Sequence, residues 1–258
     1  MNESIGALDV VASFALIALV VGLSFWRKLG LERSILWASA RATVQLLAVG
    51  FLFTVIFESG QRDLWAWLWV VMMVLVSAVV VTRRAAGVPR LFATAVVALV
   101  ATTAIVLGVI FGLQILEPDA ISIVVMAGIT IGNTMPSVVL GANRMLETLS
   151  SQRGQLEAYL SLGFRADRAL LPFEQEVIRS ALTTQIERTR VVGIIALPGA
   201  MTGLLLAGTD PLDAVILQLA VMFLVLGSVA TSVVIVTRTI ARRALTKDLR
   251  IDEWVRAS

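Results

Sequence analysis

The sequence predicts an all-α, polytopic membrane protein with about seven transmembrane helices. Three observations lead there. Of its 258 residues, 58% are hydrophobic and 15% charged, whereas soluble domains average about 45–50% apolar and about 25% charged. Apolar runs near the length a bilayer core requires, about 20 residues each, recur at 7–26, 34–57, 64–82, 91–115, 121–141, 191–208 and 213–237. The charge of the connecting loops alternates along the chain.

The first loop holds Arg27, Lys28 and Arg33, and the third Arg83, Arg84 and Arg90. The fifth holds seven arginines, and the tail Arg238, Arg242, Arg243, Lys247, Arg250 and Arg256. The other loops carry Glu58, Asp63, Glu117, Asp119, Asp210 and Asp213 against a single Arg62. Basic loops stay cytoplasmic, so the N-terminus is expected outside and the C-terminus in the cytoplasm. Glu3 and Asp9 precede the first run with no basic n-region, unlike a cleaved signal peptide. The expectation is one transmembrane domain over 1–258, with a tail resting near anionic headgroups.

In the second run, Trp37, Arg41 and Gln45 share a helix face. Arg41 would lie about 10 Å deep. It either snorkels to the headgroups or stands as a fixed charge inside the bundle. Trp65, Trp67 and Trp69 open the third run as an interfacial belt. In the fifth, Gly128 and Gly132 form a small-residue contact, followed by Asn133, Met135 and the ladder-breaking Pro136.

Residues 142–190 form the longest segment between runs. Leu146, Leu149, Leu156 and Leu160 recur at helical spacing, and Gly163 is a helix stop. After FRADRALL, Pro172 suits the first turn of a new helix. Phe173, Val177 and Ala181, with Ile178, Leu182 and Ile186, give that helix an apolar face. The reading is a cytoplasmic helical elbow between spans five and six. Glu187, Arg188 and Arg190 follow at the membrane boundary, as headgroup charge or as a gating ion pair. The sixth run carries Pro198 in its middle, with Gly199, Gly203 and Ala207 on one face, which predicts a kinked, tightly packed span. Two interrupted spans flanking one elbow match the broken helices of transporters.

The chain has no cysteine and no histidine, so thiolate chemistry and the commonest neutral-pH base are absent. Met126, Met135, Met201 and Met222 read as core filler, and the sequence assigns no metal-ligating residues. Asn133, Thr134, Thr202 and Gln218 are the remaining oxygen donors in the spans. There is no phosphate-binding G-x-x-x-x-G-K-[ST] loop. Lys28 and Lys247 are the only lysines, and neither lies in a span, which excludes a retinal Schiff base. No catalytic residues and no bound cofactor are expected, and the basic charge calls for no nucleic acid.

EAYLSLG at 157–163 resembles the E-A-A-x-x-x-G loop by which ABC-transporter permeases dock their ATPase. Together with RATVQLLAVG at 41–50, GITIGNTM at 128–135 and VVGIIALPGAMTGLLLAGTDP at 191–211, it is similar to the Fet-type ABC permeases, bacterial iron exporters related to plant permeases of aluminium tolerance. The sequence departs from that family at Ala200, where a methionine is usual, and at Pro136. The resemblance implies a multi-pass permease of the bacterial inner membrane, in two copies, exporting a metal ion. A separate cytoplasmic ATPase would carry ATP and magnesium. Glu157, Ala158, Gly163, Phe164, Arg165, Asp167 and Arg168 would couple to it. Arg41, Gln45, Asn133, Pro136, Glu187, Arg190, Pro198, Gly199, Met201 and Gly203 would line or bend the pathway. A non-transporting scaffold, and an ATP-independent channel or carrier for a small polar solute, are the rival readings.

Overall fold

A computed structural model describes residues 7–193, 197–246 and 248–256. Glu3, Lys247 and residues 194–196, which figure in the expectations above, lie outside them. The regular structure of the described residues is helical, with an isolated bridge between Leu245 and Ile251 near the end of the chain. The chain divides into two compact units, 1–62 and 63–258.

The first unit pairs α1 (Ala7–Trp26) with α2 (Glu32–Glu58). Ser24 fixes the turn between them. Its buried hydroxyl donates to Glu32 Oε1 at 2.7 Å and accepts from the Leu31 N–H at 3.3 Å. Most of α2 is exposed and apolar.

The second unit contains α3 (Arg62–Arg84, its first residue belonging to the first unit), α4 (Leu91–Gly112), α5 (Ala120–Ser151), α6 (Arg153–Ser161), α7 (Ala166–Val191), α8 (Gly199–Leu206), α9 (Pro211–Arg243) and α10 (Glu253–Arg256). Its centre is the α5–α9 pair, where small residues let two backbones approach. A Cβ on Gly141 would sit 3.6 Å from both Thr237 Oγ1 and Val233 Cγ1. Thr134 and Ser228 share a buried hydroxyl contact at 3.4 Å. α4 and α7 pack on this pair, and Val106, Ile110, Met126, Ala181, Val225 and Val229 form one apolar cluster.

Among the described residues, five helices are long and apolar enough to cross a membrane: α2, α3, α4, α5 and α9. Outward-facing Trp65 and Trp67 on α3 remain exposed, as an interfacial belt requires. The sixth expected span, 191–208, is not one helix. Its described part is the end of α7, a break and the eight-residue α8, which rises only about 12 Å. Pro198 does not kink a helix. It precedes α8 as the N-cap with extended backbone, and its carbonyl accepts from the Thr202 N–H at 3.0 Å. Gly199 and Gly203 have open space where a Cβ would project, and Ala207 is exposed, so the tight packing expected of that face is absent among the described residues.

The segment 142–190 also differs from a single elbow. α5 continues through Pro136 to Ser151, and α6 and α7 follow. Pro172 does not start a helix. α7 begins six residues earlier at Ala166, and Pro172 lies within it. A proline there removes one intrahelical bond, and burial of Ala169, Leu170 and Phe173 on the same two turns offsets the loss. Nor does α7 hang beneath the bundle. Phe173, Val177 and Ala181 are buried, and Ala181 joins the core cluster with Val225, Val229 and Val233 of α9.

The loops of this unit sort by charge. Arg243 Nη1 donates to the Arg90 carbonyl at 3.0 Å, Asn143 Nδ2 to the Arg84 carbonyl at 3.4 Å, and Arg242 meets Asp167 at 3.3 Å. The α3–α4 connection, the end of α5, the start of α7 and the end of α9 thus share a basic pole. The opposite pole holds Glu117, Asp119, Asp210 and Asp213. There Ser122 holds the Asp119 carboxyl below its ordinary pKa by hydrogen bonding, as the N-cap of α5.

Candidate functional site

Two features of the second unit carry chemistry, one at the basic pole and one in an open cavity between α5, α7, α8 and α9. At the pole, α6 and α7 form a hairpin whose turn is built around Gly163. Its φ of +83° suits glycine, which lacks the Cβ that makes this region costly. The Gly163 N–H donates to the Leu160 carbonyl at 3.0 Å and the Phe164 N–H to the Tyr159 carbonyl at 3.1 Å. That is the Schellman closure of a helix. The turn presents Leu162, 76% exposed, and Phe164 at its tip.

The tip is tied to the core through aromatic rings. Phe164 lies edge-on to Tyr159 with centroids 5.7 Å apart, and Tyr159 lies 6.3 Å from Phe173, which is fully buried. Glu157 pairs with Arg153 at 2.7 Å on the exposed side of α6. The structure therefore gathers Glu157, Ala158, Gly163, Phe164, Arg165, Asp167 and Arg168 on this hairpin. The tail folds back against the end of α9. Asp252 N–H donates to the Ala244 carbonyl at 2.8 Å, and Ile251 and Val255 are buried. With Glu157, Leu160 and Ser161, residues 248–251 line a cleft of about 510 Å³ beside α6.

From the basic pole α7 runs antiparallel to α9. Asp167 faces Arg242, and Glu174 approaches Arg238 at 3.8 Å. Ala181 packs beside Val229. Gln185 then shares a cavity of about 380 Å³ with Gln218. The walls come from α5, α7, α8 and α9. The polar ones are Asn133, Gln185, Arg188 and Gln218, with the backbone of Gly199 and Ala200. Gln185 and Gln218 are nine-tenths buried, and Gln218 Oε1 has no hydrogen-bond partner among the described residues. Asn133 Nδ2 is held by the Ile129 carbonyl at 2.8 Å.

The expected pathway residues are therefore partly assembled. Asn133, Pro198 and Gly199 line the cavity. Pro136, Met201 and Gly203 are not among its lining residues, and Glu187 and Arg190 pair with each other at 2.7 Å on the exposed face of α7. Arg41 and Gln45 lie exposed on α2 in the first unit, with no partner for Arg41 among the described residues of that unit. An uncovered arginine on an apolar helix still has two uses, and a substitution separates them. Arg41→Ala is expected to reduce transport per inserted molecule several-fold while membrane insertion is unchanged, measured by solute flux normalised to permease in the membrane. Equal flux would leave Arg41 a snorkelling residue. Sequence reasoning missed Gln185 altogether and read Arg188 as headgroup charge or as part of a gating ion pair, not as a cavity residue. The available signal was their three-residue spacing on one helix face. No group of three or more acidic side chains poised to hold a metal occurs among the described residues.

A family model described as an uncharacterised protein family, UPF0014, matches residues 7–245. The "UPF0014 membrane protein STAR2" of Oryza sativa subsp. japonica is 35% identical over 90% of this chain and 81% of its own length. The "Probable iron export permease protein FetB" of Escherichia coli is 30% identical, over 91% and 88%. The "Protein ALUMINUM SENSITIVE 3" of Arabidopsis thaliana is 28% identical, over 88% and 83%. No solved structure matches the chain.

Proposed function

We propose, for a chain that belongs to the UPF0014 family of membrane proteins, that it is the permease subunit of an ABC transporter. Its cargo is a metal ion, with iron taken from the name of the Escherichia coli relative. A separate cytoplasmic ATPase supplies ATP and magnesium, and two permease copies complete the pathway in the bacterial inner membrane. The basic pole is then cytoplasmic, and α7, 26 residues or about 39 Å long, makes the return crossing that 191–208 does not.

The observation that carries this reading is the α6–α7 tip. An exposed leucine and phenylalanine on a rigid Schellman turn, backed by an aromatic contact to a buried residue, suit a surface that receives force. Exposed apolar side chains of this kind mark a partner site when they cluster. Closure of the ATPase pair on nucleotide binding would press on Leu162 and Phe164. Tyr159 and Phe173 would pass that motion to α7, whose far end borders the cavity shared with α5, α8 and α9.

The test is co-purification from membranes with a candidate ATPase, using the intact protein and Glu157→Lys. An exposed helix pair such as Arg153–Glu157 contributes only about 0.3–0.5 kcal/mol, so reversal leaves folding intact. ATPase capture and solute export are expected to fall at least tenfold together. Export without any bound ATPase would favour an ATP-independent channel or carrier, and capture without export a regulatory scaffold. Capture and export both unchanged in Glu157→Lys would remove the docking role.

A further inference from the structure

The cavity between α5, α7, α8 and α9 is open on the side where Arg188, Gly199 and Ala200 are exposed, and it holds a chemical pattern that the cargo must match. Among its described lining residues Arg188 is the only charged one, and no carboxylate faces the space. Arg188 makes no ion pair with the described residues. Gln185 and Gln218 bring two amides that are nine-tenths buried, and Gln218 Oε1 is unpartnered among the described residues. Leaving such a group without a partner costs about 1–3 kcal/mol, which is a reason for the cavity to be filled. Rotation of the terminal amide exchanges its oxygen for its NH₂, so each glutamine can donate to a ligand.

The N-terminus of α8 opens on the same space. Gly199 and Ala200 line it, and Pro198 offers no side-chain cap to their N–H groups. Uncapped N–H groups at a helix start favour an anion. A naked divalent cation meets a guanidinium and no carboxylate, so the neutral amide oxygens alone would have to hold it beside a positive charge. At about 380 Å³ the cavity falls within the range of small-molecule sites.

We infer that this cavity binds a small oxyanion-bearing solute, a carboxylate or phosphate compound, and that any metal it passes travels as an anionic chelate. Arg188 forks onto the oxyanion, the α8 N–H groups hold its second oxygen, and Gln185 and Gln218 satisfy the remaining polar atoms. This deepens the permease reading and rests on it, yet it is measured without an ATPase, so either can fail alone.

The experiment uses the full-length permease in phosphatidylcholine nanodiscs, titrated calorimetrically with citrate, inorganic phosphate, ferric citrate and ferrous ion alone. Binding of at least one of the anions, with no binding of ferrous ion alone, is expected. Arg188→Gln is expected to weaken it at least about tenfold, the loss of one charge-assisted contact, and Arg188→Lys to keep most of it. Gln218→Leu, which fills the same volume without an amide, is expected to weaken it as well. Ferric citrate binding in preference to citrate identifies a chelate as the cargo, and the reverse a free anion. Loss of the signal when phosphatidylglycerol is added identifies a lipid phosphate as the oxyanion. Binding of ferrous ion alone that survives Arg188→Gln, or no binding of any anion, overturns the inference.

Discussion

Gly163→Pro is expected to abolish ATP-driven export while the protein still inserts in the membrane. Three separate demands of the turn fail together. Proline fixes φ near −65°, whereas Gly163 sits at +83°. It has no N–H to give the Leu160 carbonyl, which now receives one at 3.0 Å. It also disfavours helical backbone at the residue before it, and Leu162 is held there at φ −77° and ψ 2°. The turn must open, and the tip carrying Leu162 and Phe164 leaves its place under Tyr159.

A graded series makes the cause visible. No atom lies within 4 Å of where a Cβ on Gly163 would project, so the cost of a side chain is purely conformational. Gly163→Asn is expected to stay near wild type, because asparagine tolerates the left-handed region. Gly163→Ala should lose about 1–2 kcal/mol of turn stability and show intermediate coupling, and Gly163→Pro none. The readout is ATPase captured and solute exported per inserted permease. Export by Gly163→Pro equal to wild type would mean that the hairpin transmits nothing.

Gly163 also shows what a sequence reveals well. A glycine after a leucine-rich helical stretch has a local reason to be there, and the structure places it at the residue that reason requires. The apolar runs of α2 to α5 and α9 were legible for a similar cause, since lipid-facing helices must be apolar along their whole length. α7 was legible only as an amphipathic helix. Its Phe173–Val177–Ala181 face was visible in the spacing, but the α9 residues that cover that face were not. A helix packed on protein can carry polar residues that a lipid-facing one cannot, and hydropathy averages across that difference. Pro198 was misread because its neighbours are apolar on both sides. Whether a proline lies inside a helix or just before one depends on the φ and ψ of its neighbours, which composition does not record. The pairing of Gln185 with Gln218 needed the antiparallel register of α7 on α9, a long-range fact no local pattern holds.

Phe173→Ala is expected to be the most destabilising single substitution of the hairpin. Phe173 is 1% exposed and is the largest of the fully buried side chains. Removing it deletes a buried ring and leaves a cavity, a change that costs about 3–5 kcal/mol. The midpoint of chemical unfolding in detergent should fall accordingly, and Phe173→Leu should lose much less. Stability alone does not separate packing from force transmission, because both variants weaken the same junction. Tyr159→Leu does: it keeps an apolar body over Phe173 and removes the aromatic ring between it and Phe164. If the ring contacts carry the motion, Tyr159→Leu binds the ATPase normally, unfolds near the wild-type midpoint and exports several-fold less. If it exports as well as the wild type, α6 and α7 move together through their backbone turn, and Gly163 alone is the coupling element.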